Sequence, residues 1–258
     1  MPKYFFKPSE RNGDVIVLKE DAAHHLLQVL RIKSGSRVIL CDGAGVDYAS
    51  TLEMADVKKG LCSFRILNEI PCETELPRKT TLFQALPKSD KMEWIIQKCV
   101  ELGVHQIVPL YTAFTVVRDA EKKMVRFNRV AESAAGQSMR GIVPEVALPM
   151  AFKDAVKEIV VGEPRVKSRA THLVALSPSE VADLPQVERC SIKEWFASNA
   201  ALTDSPLAIW VGPEGGFSPE EITALLDAGV QPISLGRRVL RTETAGLTAL
   251  AQIMLFAE

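Results

Sequence analysis

The feature that most limits what this chain can fold into is a change of rhythm after its first 70 or so residues. Before it, the sequence reads as short strands: Lys3–Phe6 ("KYFF"), Asp14–Leu18 ("DVIVL"), Ser36–Asp42 ("SRVILCD"), Asp47–Met54 ("DYASTLEM") and Cys62–Leu67 ("CSFRIL"). One helix interrupts them. "EDAAHHLLQVLRI" (Glu20–Ile32) carries Ala23, Leu26, Leu27 and Leu30 at helical spacing. "DGAG" at Asp42–Gly45 is a turn signal between two strands. This part is expected to be a small β-barrel with one or two helices. "IPCETELPRK", with Pro71 and Pro77, breaks the pattern and reads as a linker. From Thr80 onward strands alternate with helices, ending in "LAIWVG", "SPEEITALLDAG", "PISLG" and "TAGLTALAQIMLFA". Such alternation implies a mainly parallel sheet covered on both faces. The expected organisation is therefore a barrel over 1–71 and an α/β domain over 72–258. A polar stretch from about Ser198 to Ser205 reads as a surface loop.

Local chemistry sharpens several boundaries. Asp90 and Glu93 are spaced as a capping box before "KMEWIIQKCVELG", and Gly103 is the stop. Ser218, Pro219 and Glu221 supply an N-cap, an N1 proline and a capping-box glutamate.

Composition excludes more than it suggests. The chain has 258 residues, with 31 basic and 32 acidic side chains and a net charge of −1, so any nucleic-acid surface must be a local patch. No apolar run approaches the roughly 20 residues that span a bilayer, and the N-terminus does not resemble a secretory signal. A cytoplasmic protein is expected, without a membrane partner. The 5 cysteines form no C-x-x-C pair and the 4 histidines show no ligand spacing, so no metal site is expected.

The chemistry concentrates in Ala208–Glu221, "AIWVGPEGGFSPEE". An apolar strand ends in a glycine loop and runs into a capped helix. In open parallel sheets ligands bind at such carboxyl ends. Neither a P-loop nor a G-x-G-x-x-G string is present. Glu214, Glu220 and Glu221 put negative charge where a phosphate would sit, which disfavours an anion. A ligand with an amino group or a sulfonium suits the loop better, and a side chain at Gly215 is expected to intrude on the ligand's edge. A well-capped βα turn without a ligand is the alternative. The next strand end, "PISLGRRVLRTETA", crowds Arg237, Arg238 and Arg241 beside a second glycine turn. Three arginines there point to a phosphate-bearing partner, with a solvated basic loop as the alternative.

"WVGPEGGFSPEE" followed by "LGRRVLRTETA" closely resembles the paired C-terminal motifs of the RsmE family, SPOUT-class methyltransferases that modify a uridine at N3 in small-subunit ribosomal RNA. "DKMEWIIQKCVELGV" resembles the first helix of that family's catalytic domain, and "HHLLQVLRIKSGSRVILCDGAG" its PUA-like N-terminal barrel. The resemblance spans nearly the whole chain. It implies a PUA-like β-barrel followed by a SPOUT α/β trefoil-knot domain, S-adenosylmethionine as cofactor, the small ribosomal subunit and its 16S-type RNA as partner, and a homodimer. The apolar helix "AGLTALAQIMLFA" fits a dimer interface. Position by position, it assigns Gly212, Glu214, Gly215 and Gly216 to the first cofactor loop, and Leu235, Gly236, Val239, Leu240 and Thr242 to the second. Leu176, Ser177 and Pro178 form a third wall. Arg241, Glu243 and Arg140 are the candidate catalytic residues. Arg11, Arg31, Lys33, Arg237 and Arg238 are the candidate RNA contacts. One departure concerns Arg140: where the family often has A-E-Q, this chain has "AAGQSMR", and Gly136 within a helix costs about 1 kcal/mol relative to alanine.

The donor's sulfonium already activates the methyl group, so catalysis is expected to be largely positioning and electrostatics. Arg241 would stabilise the uracil oxygens. Glu243 or a water would take the N3 proton, the alternative being that Glu243 pairs with Arg238. Two rival functions stay open at this level: a methyltransferase acting on another RNA such as transfer RNA, and a non-enzymatic RNA-binding protein.

Overall fold

The computed structural model describes residues 3–161, 170–182, 184, 186–199 and 205–257. The chain forms two compact units, and neither follows a simple cut in the sequence. The first comprises 1–75 together with 135–143; the second comprises 76–134 and 144–258. Most of the loop expected at 198–205 lies outside the described residues.

In the first unit, six strands form one mixed sheet: β1 (Lys3–Phe5), β2 (Arg11–Asn12), β3 (Val15–Lys19), β4 (Arg37–Cys41), β5 (Val46–Asp56) and β6 (Leu61–Pro71). Their order is β1-β4-β5-β6-β3-β2, antiparallel except for β1 beside β4. Alternate residues face a core of Ile16, Leu18, Val38, Leu40, Leu52 and Phe64, as the period of two requires. The β4–β5 turn works as its sequence suggests: Asp42 Oδ1 accepts from the Ala44 and Val46 N–H groups at 2.8 and 3.1 Å.

The helix expected over 20–32 is shorter and less regular. α1 covers only Glu20–His24, π-type turns follow over His25–Val29, and Arg31 sits at φ 50°. Leu26 and Ala23 are buried, but Val29 and Leu30 are 58% and 44% exposed. The wider turn therefore carries the end of the apolar face away from the core.

Segment 135–143 joins this unit through buried charge. Lys3 Nζ pairs with Asp47 at 2.7 Å and donates to the Met139 carbonyl at 3.1 Å. Arg140 pairs with Glu75, whose Oε1 also accepts from the Gly141 and Ile142 N–H groups at 2.9 and 3.1 Å.

The second unit is the α/β part. Its strands are β7 (Thr80–Ala85), β8 (Gln106–Tyr111), β9 (Glu145–Val146), β10 (Met150–Ala151), β11 (Thr171–Ala175), β12 (Cys190–Ser191), β13 (Leu207–Val211) and β14 (Gln231–Ser234). All pairings are parallel, in the order β10-β8-β7-β13-β11-β14-β12, with β9 also on β8. The helices are α2 (Lys91–Glu101), α3 (Met124–Gln137), α4 (Phe152–Val161), α5 (Ile192–Ser198), α6 (Pro219–Asp227) and α7 (Thr242–Ala257); the last residues of α3 count with the first unit. All five residues of β13 are buried, so both faces of the sheet centre are covered. Trp210 stacks on Phe83 with centroids 4.2 Å apart. Its indole N–H donates to His172 Nδ1 at 3.1 Å, and burial lowers the His172 pKa to about 4, which keeps that ring a neutral acceptor.

The capping box expected at Asp90 and Glu93 does not form. Asp90 is not in the extended conformation that an N-cap requires and makes no side-chain cap. Both carboxylates turn instead to α3 and its approach: Asp90 to Lys123 at 3.5 Å, Glu93 to Arg126 at 2.8 Å.

Candidate active site

The parallel order places β11, β13 and β14 side by side, so the loops after them meet at one end of the sheet. The loop after β13 is compact because it is glycine. A Cβ on Gly212 would lie 2.9 Å from the Gly216 carbonyl carbon, and Gly216 has φ +73°. The loop ends in the expected box: the Ser218 hydroxyl accepts from the Glu221 N–H at 3.2 Å, and Glu221 Oε2 accepts from the Ser218 N–H at 3.0 Å. The second Glu221 oxygen accepts from the Ala113 N–H at 2.8 Å, so the cap also fastens the segment after β8. The loop after β14 turns through Gly236, at φ +123° with open space where a Cβ would be. It ends at the Arg241 carbonyl, which accepts from the Thr244 and Ala245 N–H groups as α7 begins.

Three polar ties hold these loops together. Glu180, after β11, accepts from the Ser177 N–H at 2.8 Å and from the Phe217 N–H at 2.9 Å. The buried Thr242 hydroxyl donates to the Gly212 carbonyl at 2.6 Å and accepts from Gln84 Nε2 at 2.9 Å. Lys91, the first residue of α2, pairs with Glu214 at 3.0 Å and with Glu243 at 3.3 Å. Hydrogen bonding to Glu214, with Glu243 adding to it, raises the Lys91 pKa against the opposing effect of desolvation. Burial on its own would raise the Glu214 carboxyl, but its own N–H, the Lys91 ammonium and the Lys88 N–H hold it below the usual carboxylate range.

The loops enclose a cleft of about 330 Å³, within the size range of small-molecule sites of about 300–1,000 Å³. All twelve residues assigned to the cofactor line it: Leu176, Ser177, Pro178, Gly212, Glu214, Gly215, Gly216, Leu235, Gly236, Val239, Leu240 and Thr242. Arg238 and Arg241 line it as well, whereas Arg237 is exposed outside it. Glu243 stands behind the wall, and its cationic partner is Lys91 rather than Arg238. A Cβ on Gly215 would meet Phe114 Cβ at 3.0 Å, so a side chain there also presses on Phe114.

Sequence reasoning missed Lys91 and Glu180. A signal for each was present. A lysine on the first turn of a helix opposes the helix dipole and needs another justification. "SPSE" at Ser177–Glu180 repeats the S-P-x-E pattern of the Ser218 cap, here with no helix to follow.

The remaining candidates belong to the first unit. The Arg140 side chain is 3% exposed and pairs with Glu75. Arg11 lies over the Tyr48 ring and donates to its hydroxyl at 2.8 Å. Arg31 and Lys33 are exposed.

A parallel α/β sheet whose adjacent strand-end loops build one cleft, carried in a chain that also has a small mixed-sheet unit, defines a class. The RNA methyltransferase domain family matches residues 74–254, and the RNA methyltransferase PUA domain family matches residues 18–64. Within that class the chain belongs to the ribosomal RNA small subunit methyltransferase E family. It is 34% identical to the Synechocystis sp. member over 92% of this chain and 72% of that protein. It is 31% identical to the Bacillus subtilis member over 98% and 96%. Among solved structures, the Neisseria gonorrhoeae ribosomal RNA small subunit methyltransferase E bound to S-adenosyl methionine superposes with a TM-score of 0.82, at 29% identity over 99% of this chain and 97% of that one. A Legionella pneumophila protein in complex with the same cofactor gives 0.81, at 28% identity over 98% and 96%.

Proposed function

We propose that this chain transfers a methyl group from S-adenosylmethionine to N3 of a uridine in 16S-type small-subunit ribosomal RNA. The observation that carries the reading is the cleft itself, where three glycine-bearing or turn-forming strand ends converge under aliphatic Leu235, Val239 and Leu240. The residues fit the group. Loop backbone and aliphatic side chains suit a flat adenine, and the carboxylate of Glu180 suits a cationic ligand better than an anion. When bound, the cofactor supplies a methyl group activated by its sulfonium. The chain's own residues then orient and neutralise. Arg241, exposed on the cleft wall, holds uracil oxygens or an adjacent phosphate as negative charge builds. Glu243, held behind the wall by Lys91, accepts the N3 proton through an intervening water.

Residues 1–71 serve in this reading as the RNA-reading domain and 72–258 as the methyltransferase domain. Exposed Arg31 and Lys33 contact phosphates, as do Arg237 and Arg238, while base recognition stays in the pocket. A homodimer is part of the same reading, supported by apolar α7, whose Leu255 and Phe256 remain 76% and 42% exposed in the single chain. So is the trefoil knot, supported by β14 lying between β11 and β12 and by the return of Thr242 to Gly212. A cytoplasmic location accompanies a ribosomal substrate; among the described residues no helix is long and apolar enough to cross a membrane.

The test is mass spectrometry of small-subunit RNA from cells lacking the gene, followed by methylation of their subunits with purified protein. N3-methyluridine should vanish and be restored. Its persistence in the deletion strain refutes the assignment, and loss of a methyl group from transfer RNA alone moves the substrate there.

A further inference from the structure

We infer that Glu180 is a positioning residue for the cofactor, a staple joining the loop after β11 to the glycine loop after β13. The inference rests on the cofactor reading above and deepens it. The two loops are 37 residues apart at their contact, and one carboxylate serves both: Oε2 accepts from the Ser177 N–H at 2.8 Å and Oε1 from the Phe217 N–H at 2.9 Å. Ser177 lies two residues beyond β11 and Phe217 just before the Ser218 cap of α6, so neither N–H belongs to a strand ladder. A buried N–H left without an acceptor is costly. Reciprocally, the Ser177 hydroxyl accepts from the Glu180 N–H at 3.4 Å, which fixes the stem of the staple.

Gly216 shows how closely the parts fit. A Cβ there would lie 2.7 Å from Glu180 Cγ and Oε1, so the glutamate side chain occupies the space that a side chain at residue 216 would need. Glu214, the other carboxylate on the wall, is paired with Lys91. Among the described residues Glu180 makes no ion pair, so its charge rests on the two N–H dipoles alone. An alanine leaves both donors without their acceptor and frees the loops to separate. A glutamine keeps one carbonyl oxygen and can serve one loop only. An aspartate, shorter by a methylene, cannot span both.

The experiment compares wild type with Glu180→Ala, Glu180→Gln and Glu180→Asp in the full chain, by three readouts. Amide hydrogen exchange at Ser177 and Phe217 is followed without ligand. S-adenosylmethionine affinity is measured by calorimetry, and kcat at saturating cofactor on small subunits. Glu180→Ala is expected to exchange both amides at least about tenfold faster and to raise Kd about tenfold, the size of one lost charge-assisted hydrogen bond. Its kcat should stay within about twofold, because the staple acts on binding rather than on the chemical step. Glu180→Gln should deprotect one of the two amides and fall between. Unchanged Kd in Glu180→Ala, or protection of both amides in it, overturns the inference. A fall in kcat at unchanged Kd overturns it as well and would move Glu180 into the chemistry. If wild type binds no S-adenosylmethionine, the cofactor reading itself fails and this role falls with it; the exchange data then show separately whether the staple exists.

Discussion

Glu75→Gln is the sharpest perturbation of the first unit. The wild-type carboxylate meets the Arg140 guanidinium, and its Oε1 also accepts two backbone N–H groups, from Gly141 and Ile142. The side chains are 19% and 3% exposed, so water screens the pair little. Removing one partner of a buried ion pair costs about 3–5 kcal/mol. Glutamine retains an oxygen for the two N–H groups, which sets the loss near the lower end, about 3 kcal/mol. All three tryptophans, Trp94, Trp195 and Trp210, lie in the second unit, so indole fluorescence would miss the event. Hydrogen exchange at β4 and β5 reads it directly: the slowest amides should exchange about a hundredfold faster, since about 1.4 kcal/mol is a factor of ten. The effect has a pH signature. Burial alone would raise the Glu75 carboxyl, but Arg140 and the two backbone donors outweigh it and leave the pKa lowered. A depressed carboxyl contributes stability fully above its unfolded value, about 4.3, and loses it as pH falls through the folded value. The gap between wild type and Glu75→Gln should therefore be full at neutral pH and close in acid. A difference under about 1 kcal/mol at pH 7, or one that widens in acid, refutes the reasoning.

Three further outcomes follow from the site. Thr242→Val removes the donor to the Gly212 carbonyl and the acceptor for Gln84; calorimetric affinity for S-adenosylmethionine should fall and stability drop by about 1–3 kcal/mol, with Thr242→Ser near wild type. Lys91→Met takes the shared cation from Glu214 and Glu243, so the Glu214 pKa should rise and cofactor affinity should fade at a higher pH than in wild type, read by titration at several pH values. Arg241→Ala should lose most methyl transfer to small subunits while cofactor Kd stays within about threefold; a matching loss of cofactor affinity would remove it from substrate handling.

What could be read from the sequence depended on how far apart the partners lie along it. Ser218 and Glu221 are three residues apart and their capping box formed as read. The change of period near residue 71 separated a strand-rich region from a parallel α/β region, and the paired glycine loops pointed to a cleft at the strand ends. Local pattern failed where a distant charge competed. Asp90 and Glu93 have the right spacing for a box, but Lys123 and Arg126 draw their carboxylates away. Nothing near Arg140 in sequence announces Glu75, 65 residues before it, or the joining of 135–143 to the first unit. Lys91 and Glu180 escape local pattern because each acts on chain that is far off in sequence. The π-type turns after His24 fall on a stretch whose apolar residues keep ordinary α-helical spacing in the sequence, so hydrophobic period alone cannot reveal them.

The tie between Gln84 and Thr242 has a consequence for how the protein is made. The two residues are 158 positions apart, and β7, which carries Gln84, pairs on one side with β13, which starts at Leu207. At about 5–20 residues per second, synthesis reaches Thr242 roughly 8–30 s after Gln84. The edge of β7 stays unpaired until β13 is made, from Leu207 onward, roughly 6–25 s after Gln84 at that rate, and the amide of Gln84 lacks its final partner for the whole interval. A nascent chain is therefore most vulnerable to edge-to-edge association, and most in need of a chaperone, at β7, whose Gln84 later ties to Thr242 of the cleft wall. Loss of α7 would not reopen that edge, since β13 precedes it, but would leave Gln84 without Thr242 for good: a stop codon at residue 242 should give a chain that holds its first unit but never closes its site.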